Sequence, residues 1–524
     1  MKRRIDLKRV NLVTMEIPYS KQTMLNLIAT IVQFGLSLLI SFFLSPFIVK
    51  NLGAEANGFV TMANNFTAYF SVIIVALNGM ASRFIAVSYH RGEKEKANLY
   101  YSSLFWGDLI LTIVFSVISI FFVYNLEMVI NISSGLVDDV KILFALIFAN
   151  YLIGVLVTIW SSATYIANKV YLNSIANMLY TIIRLIVIVT AFTFFEPKVF
   201  YLGAATIVPT FILNLSNLYF KVKLIPDLRV KKNGFNLQAI KVMISSGCWN
   251  SISRIGGLLE TGCSMLITNL FISPAAMGLL SVARSMPSVI DGLNGNLSSA
   301  FLPSLIKDYA LSDKQAMVRN IKSSSKIISV ICSVPLCFLI VFGEAFYNLW
   351  QPTLPSKQVH ILSFLICMAY VLVTGTQSLF NIFTAYNKVK QNSISVLIMG
   401  STSIVLTLIL LKITNLGIYA VAGVSPIVNI GRYMFFVIPY AAKYMGLKWS
   451  TFYPIVGNSA ISVMVLCLIG MGIKAFFPTE TWSGLMFAAA IFAAIGYLAE
   501  IFLILNKKER NALIQMVANK IRNN

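Results

Sequence analysis

Apolar runs of about 20 residues recur from Thr23 to Leu505, separated by connections that are mostly short. A helix of that length crosses about 30 Å of hydrocarbon, and a helix satisfies its own backbone N–H and C=O groups where water is absent. Charge points the same way. Only 11% of the 524 residues are charged and 58% are hydrophobic, whereas a soluble domain carries roughly 25% charged residues. The chain therefore reads as an all-α polytopic membrane protein with about fourteen transmembrane helices. They fall at roughly 23–49, 58–87, 98–124, 140–165, 172–195, 198–220, 240–270, 276–306, 323–349, 359–385, 392–413, 417–441, 453–476 and 482–505. The opening "MKRRIDLKRV" is basic, but the apolar run after it is too long for a signal peptide and has no small-residue cleavage site, so the first span is expected to remain in the mature protein.

The net charge of +22 is explained by its distribution. With the N terminus in the cytoplasm, 30 of the 41 Lys and Arg fall in the termini and inner connections, and six fall outside: Lys50, Lys141, Lys198, Lys357, Lys412 and Lys474. This asymmetry predicts that both termini are cytoplasmic. The basic face is suited to anionic inner-leaflet lipid, and no nucleic-acid partner is expected. The tail "KKERNALIQMVANKIRNN" places Leu513, Val517 and Ile521 on one face, the pattern of a basic helix lying on the inner surface.

Other chemistries lack their residues. The six cysteines lie inside apolar runs without metal-ligand or disulfide-framework spacing, and there are only two histidines, so no metal site and no cofactor are expected. Phosphate-loop, serine-hydrolase and HExxH signatures are absent, and no outward connection is long enough for the catalytic loop expected of a polysaccharide polymerase or ligase. The "NIS" at Asn131 is too short a match to carry weight.

Five arginines remain at membrane depth or at span ends: Arg83, Arg184, Arg254, Arg284 and Arg432. An intramembrane charge is costly and marks a functional candidate. An internal repeat organises them. At an offset of 220 residues, "NLGAEANGFVTMANNF" lies over "FISPAAMGLLSVARSM", pairing Gly58 with Gly278. The following segments pair Leu77 with Leu297, Tyr89 with Tyr309, Glu93 with Asp313, Lys94 with Lys314 and Ser103 with Ser323. The offset contains six spans, so the repeats are parallel, and alternating access can occur by rocking one bundle against the other. In span two, Asn64, Ser71 and Asn78 share a helix face; their partners in span eight are Arg284, Asp291 and Ser298. Both stripes are expected to line one cavity.

"LGAEANGFVTMANNF", the basic "ASRFIAVSYHRGEKEKA" and "ARSMPSVIDGLNGNLSSAFLPSL" resemble Wzx-type polysaccharide flippases of the MOP superfamily, which also holds MATE exporters and the lipid II flippase. In the lipid II flippase an arginine stands at the position matching Arg284. The resemblance implies a V-shaped pair of six-helix bundles plus two C-terminal helices. The divisions are then a basic N terminus (1–22), bundles at 23–220 and 240–441, a basic linker (221–239), two added helices (442–505) and a basic tail (506–524). It also implies a cationic cavity and an undecaprenyl-diphosphate-linked glycan as cargo, moved to the outer face of the bacterial cell membrane for capsule, O-antigen or teichoic-type polymer. A polysaccharide polymerase and glycosyltransferases are the implied working partners. The lipid II flippase has further cavity arginines in spans one and two; here span one offers Gln33 and span two Asn64 and Asn65, which argues against lipid II as cargo.

On this reading Arg284 anchors the diphosphate, with Arg254 and Arg432 as secondary candidates. Asp291 receives the arginine when cargo is absent or binds a coupling ion, and Glu260 and Asp108 are further ion-coupling candidates. Sodium, proton and membrane potential all remain open as the driver. Structural roles compete: Asp108 with Arg184 as an ion pair, Arg83 as an interfacial snorkeller, and Asn150, Gln377, Asn381 and Asn429 as interhelical hydrogen bonders. The alternative function is a MATE-type cation-coupled drug exporter, which calls for acidic rather than basic cavity residues.

Overall fold

A computed structural model of the chain describes residues 21–232, 234–505, 507 and 509–510. The basic N terminus and the Leu513–Ile521 face lie outside the described residues. Within them the chain is helical with no strand: α1 (Lys21–His90), α2 (Lys94–Tyr124), α3 (Leu126–Val129), α4 (Val137–Ile166), α5 (Val170–Phe194), α6 (Tyr201–Leu224), α7 (Leu237–Phe271), α8 (Pro274–Ala300), α9 (Leu302–Ala310), α10 (Lys314–Trp350), α11 (Ser356–Val373), α12 (Phe380–Ala385), α13 (Val389–Ile413), α14 (Ile418–Arg432), α15 (Ile438–Tyr444), α16 (Tyr453–Phe476) and α17 (Trp482–Ile504). A 3-10 turn (Thr374–Leu379) joins α11 to α12, and a π segment (Tyr433–Val437) joins α14 to α15.

Eleven described helices are long and apolar enough to cross a membrane. The expected fourteen is a larger number, and the difference has a physical basis. Spans one and two are merged in α1, interrupted only at Gly53 (φ 82°, ψ 166°), a conformation that glycine reaches without cost. The helices α7 and α8 are not among the eleven; they carry Arg254, Glu260, Arg284 and Asp291. The expected span over 276–306 also ends early, because Phe301 separates α8 from α9.

The repeat is written into the turns. Gly92 (φ 77°) and Ser312 (φ 56°) stand 220 residues apart at matching inner turns, closed by Glu93 N–H to Ser88 O and by Asp313 N–H to Asp308 O. Asn168 (φ 53°) and Asn387 (φ 52°) match likewise, as do Pro209 in α6 and Pro426 in α14. Where the first copy bends at Gly53, the second uses Ser273, whose hydroxyl caps Ala276 N–H at 3.0 Å, followed by Pro274.

Residues 220 apart also touch each other. A Cβ on Gly58 would lie 3.1 Å from the Gly278 Cα, and one on Gly278 would lie 2.5 Å from the Ala54 carbonyl. Thr61 Oγ1 and Ser281 Oγ are 2.8 Å apart, and Asn57 donates to Ser281 Oγ at 2.8 Å. The second arm of α1 and α8 therefore cross on the pseudo-two-fold axis, with backbones in contact because both positions lack side chains. Two flanking contacts close the same end. Asn131 and Asn269 exchange hydrogen bonds of 2.8–3.0 Å, and Trp350 and Gln351 donate to Phe42 O and Ser45 Oγ at 2.9 and 3.2 Å.

At the opposite end the basic linker is strapped to α2. Asn98 accepts from Arg229 N–H, Ser102 from Lys231 N–H and Ser103 from Asn236 N–H, and Lys94 pairs with Asp227 at 2.7 Å. The added α16 and α17 pack on α10, where the Phe342 and Phe492 rings meet at 5.7 Å.

Candidate substrate cavity

Three cavities lie in a row across the two bundles. The one in the second bundle has a volume of about 140 Å3 and lies between α7, α8, α11 and α14; Glu260, Thr261, Arg284, Asp291, Tyr370 and Asn429 supply its polar groups. Two helix prolines, Pro287 and Pro426, also line it. A proline inside a helix leaves the carbonyl four residues earlier without its helical donor, so backbone acceptors are freed here as well.

The cavity in the first bundle, about 160 Å3, is its repeat-related twin. Asn64 stands where the second has Arg284, Thr67 matches Pro287, Asn150 matches Ala369 and Tyr151 matches Tyr370. Between them a cleft of about 480 Å3 runs between α1 and α8. Arg184 lines both this cleft and the first-bundle cavity, and Ser288 lines both the cleft and the second-bundle cavity. The cleft has two chemistries. Leu38, Leu39, Ile48 and Val289 form an apolar wall, while Ser41, Asn57, Thr61, Ser281 and Ser285 form a polar one.

The polar stripes of span two and span eight thus do not face each other across one cavity, as the sequence suggested. Each turns into its own bundle, because the faces that meet on the axis are those of Gly58 with Gly278 and Thr61 with Ser281.

Arg284 is half-buried and donates from Nη1 to the Thr261 carbonyl at 3.0 Å; its Nε is buried without a partner, and it forms no ion pair among the described residues. Glu260 lies within electrostatic reach of Arg284, Arg432 and Asp291. Asp291 is exposed within the cavity, with Tyr370 beside it. A guanidinium has five donors, and most of those on Arg284 remain available to an anion.

Residues 21–308 match the model of a family described as "Polysaccharide biosynthesis protein". The chain belongs to this polysaccharide biosynthesis family. A relative, "Uncharacterized membrane protein EpsK" of Bacillus subtilis (strain 168), is 26% identical over 494 residues, covering 94% of this chain and 97% of its own. Two solved structures share the fold. One is an inward-facing multidrug resistance MATE family transporter of the MOP superfamily, with TM-score 0.64, 13% identity and coverage of 81% of this chain and 98% of that one. The other is the lipid II flippase MurJ in an inward closed conformation, with TM-score 0.63, 17% identity and coverage of 91% and 98%. This family member is a multi-pass membrane protein with the architecture of transporters and flippases.

In this member of the family the remaining expected residues divide by what they touch. Asn64 lines the first cavity, although its amide also donates to Val60 O at 2.8 Å. Ser71 is bonded to its own helix, at Ala68 O. Asn78 donates to Asp108 at 3.1 Å; Asp108 is fully buried, and its second oxygen is unpartnered. Asp108 and Arg184 form no ion pair. Ser298 bridges to Gln377 O, and Asn381 donates to Ser298 O, so these hold α8 to the 3-10 turn and α12. Arg432 is committed to Ser395 and Asn392 at 3.0 and 2.8 Å and lies over the Phe380 ring, leaving little of it for cargo. Arg254 is exposed on α7, with Tyr151 of the first bundle in electrostatic reach. Gln33 is half-buried and lines none of these three cavities. Sequence reasoning passed over Tyr370, Tyr151 and the Thr61–Ser281 contact, and it weighted Arg184 toward a structural role.

Proposed function

We propose that the protein moves undecaprenyl-diphosphate-linked oligosaccharide repeat units from the inner to the outer leaflet of the bacterial cell membrane, supplying surface polysaccharide synthesis. The observation that carries this reading is Arg284, a guanidinium at membrane depth with most of its donors uncommitted. It sits in a polar cavity that communicates with a cleft of mixed apolar and polar walls. The physical problem for such a cargo is its headgroup: a diphosphate and sugars do not cross hydrocarbon unaided, while the prenyl tail is at home there. The cleft offers one wall for each part. Arginine suits the diphosphate because its planar fork binds phosphate oxygens bidentately. The closed end carrying Gly58 and Gly278 is the outer end on this reading, with both termini cytoplasmic. An inside-negative potential then favours outward passage of the anion by about 2.3 kcal/mol per charge per 100 mV. Coupling to sodium or protons through Asp291, Glu260 or Asp108 would add to that drive.

Asp291 sits two turns, about 10.5 Å, from Arg284 along α8. At that distance and an intermediate dielectric, its repulsion of a phosphate charge amounts to roughly 1 kcal/mol. Asp291→Asn is expected to tighten pyrophosphate binding to the purified protein several-fold, measured by isothermal titration. Weaker binding in this variant would instead assign Asp291 to holding a cation that bridges to the cargo. A wild-type protein that binds no pyrophosphate at millimolar concentration, yet binds lipophilic cations, would favour the drug-exporter alternative.

A further inference from the structure

We infer that the first-bundle cavity is a sugar-reading subsite selective for an acidic monosaccharide, with Arg184 as the residue that recognises its negative charge; this rests on the proposed cargo. The cavity is the repeat-related twin of the one holding Arg284, yet its chemistry has diverged. In place of Arg284 and Ala369 it presents the amides of Asn64 and Asn150, with the hydroxyls of Thr67, Tyr151, Tyr180 and Thr206 around them. Neutral amides and hydroxyls from several helices are the groups that exchange hydrogen bonds with a sugar ring, since each both donates and accepts. A volume of about 160 Å3 equals the space of about five waters at roughly 30 Å3 each, the scale of one ring.

Into this neutral set the chain places one charge. Arg184, on α5, has a buried Nε without a partner and no ion pair or hydrogen bond among the described residues. Asp108, the acid that the sequence offered as its partner, is bonded to Asn78 instead. The repeat does not require this arginine, because the matching position in α13 is Ser403. A guanidinium held at membrane depth without a counter-charge is costly, and an anion delivered by the cargo removes that cost. Arg184 also borders the cleft, so the cavity opens toward the compartment that leads past Ser288 to Arg284. The diphosphate and an acidic sugar of one cargo molecule would thus be held by opposite bundles, and release of either would loosen the grip of one bundle on the other.

The test uses the purified full-length protein in nanodiscs with three probes: glucuronate, glucose and inorganic pyrophosphate, each titrated to tens of millimolar and followed by thermal stabilisation. Wild-type protein is expected to respond to glucuronate well beyond glucose. Arg184→Gln is expected to lose the glucuronate response at least tenfold while keeping its pyrophosphate response and its ligand-free melting temperature, and Arg284→Gln to do the reverse. Asn150→Leu, which keeps every charge, is expected to weaken glucuronate alone. Equal responses to glucuronate and glucose, or an unchanged response in Arg184→Gln, would overturn the subsite. Loss of pyrophosphate binding in Arg184→Gln would make Arg184 a second phosphate anchor and overturn it equally. Absence of any pyrophosphate response in the wild type, with glucuronate binding intact, would count against the diphosphate cargo and leave the acidic-sugar subsite standing.

Discussion

Replacing Arg284 with alanine is expected to abolish surface polysaccharide export while leaving the protein folded in the membrane. The guanidinium contributes one hydrogen bond to the resting structure, to the Thr261 carbonyl, and no ion pair. Its loss therefore removes little that holds α7 to α8. Its loss to the cargo is larger: truncating one member of a buried charge pair costs about 2–5 kcal/mol, which is roughly a 30- to several-thousand-fold fall in affinity. Arg284→Lys keeps the charge but not the planar fork and should retain a minor fraction of export. Immunoblotting of membranes beside quantification of surface polysaccharide separates these outcomes. Full export from a well-expressed Arg284→Ala variant would remove the anchor from the account.

Locking the contact on the pseudo-two-fold axis should be as damaging, and reversibly so. Thr61 Oγ1 and Ser281 Oγ lie 2.8 Å apart, a separation that brings two substituted sulfurs within bonding range after small adjustment. The double variant Thr61→Cys with Ser281→Cys should form a disulfide under oxidation and stop export, and reduction should restore it. The native cysteines do not confuse the experiment: all six are free, and three are fully buried. The expectation follows from alternating access, since a headgroup held at Arg284 can leave outward only if α1 and α8 part at Gly58 and Gly278. Export that continues with the bridge fully formed would place the exit elsewhere.

Much of this was legible before any coordinates. Periodicity and length gave the helices, and the 220-residue offset gave pairs that the structure realises physically, down to the turns at Gly92 and Ser312. Arg284 and Asp291 stood out because charge at membrane depth is rare, and both line the second-bundle cavity. What failed was the rotation of α1 and α8 about their axes. The spacing of Asn64, Ser71 and Asn78 defines a face but not what it looks at, and the glycines that decide which faces meet carry no side chain to announce it. Arg432 shows a second limit. Its neighbours Ser395 and Asn392 lie on another helix, so the sequence alone could not separate a committed arginine from an available one. Arg184 shows the converse: the acid nearest in expectation, Asp108, belongs to Asn78.

The most direct test is leaflet transfer itself. Purified protein is reconstituted into liposomes bearing undecaprenyl-diphosphate-linked oligosaccharide with a radiolabelled terminal sugar, and outer-leaflet glycan is removed by a membrane-impermeant glycosidase. Without protein, about half of the label should stay protected. With wild-type protein, nearly all should become cleavable within minutes, faster under a potential that pulls anions toward the enzyme; the Arg284→Ala protein should match protein-free vesicles. Label that stays half protected in vesicles containing folded wild-type protein, with or without potential and ion gradients, would contradict the account.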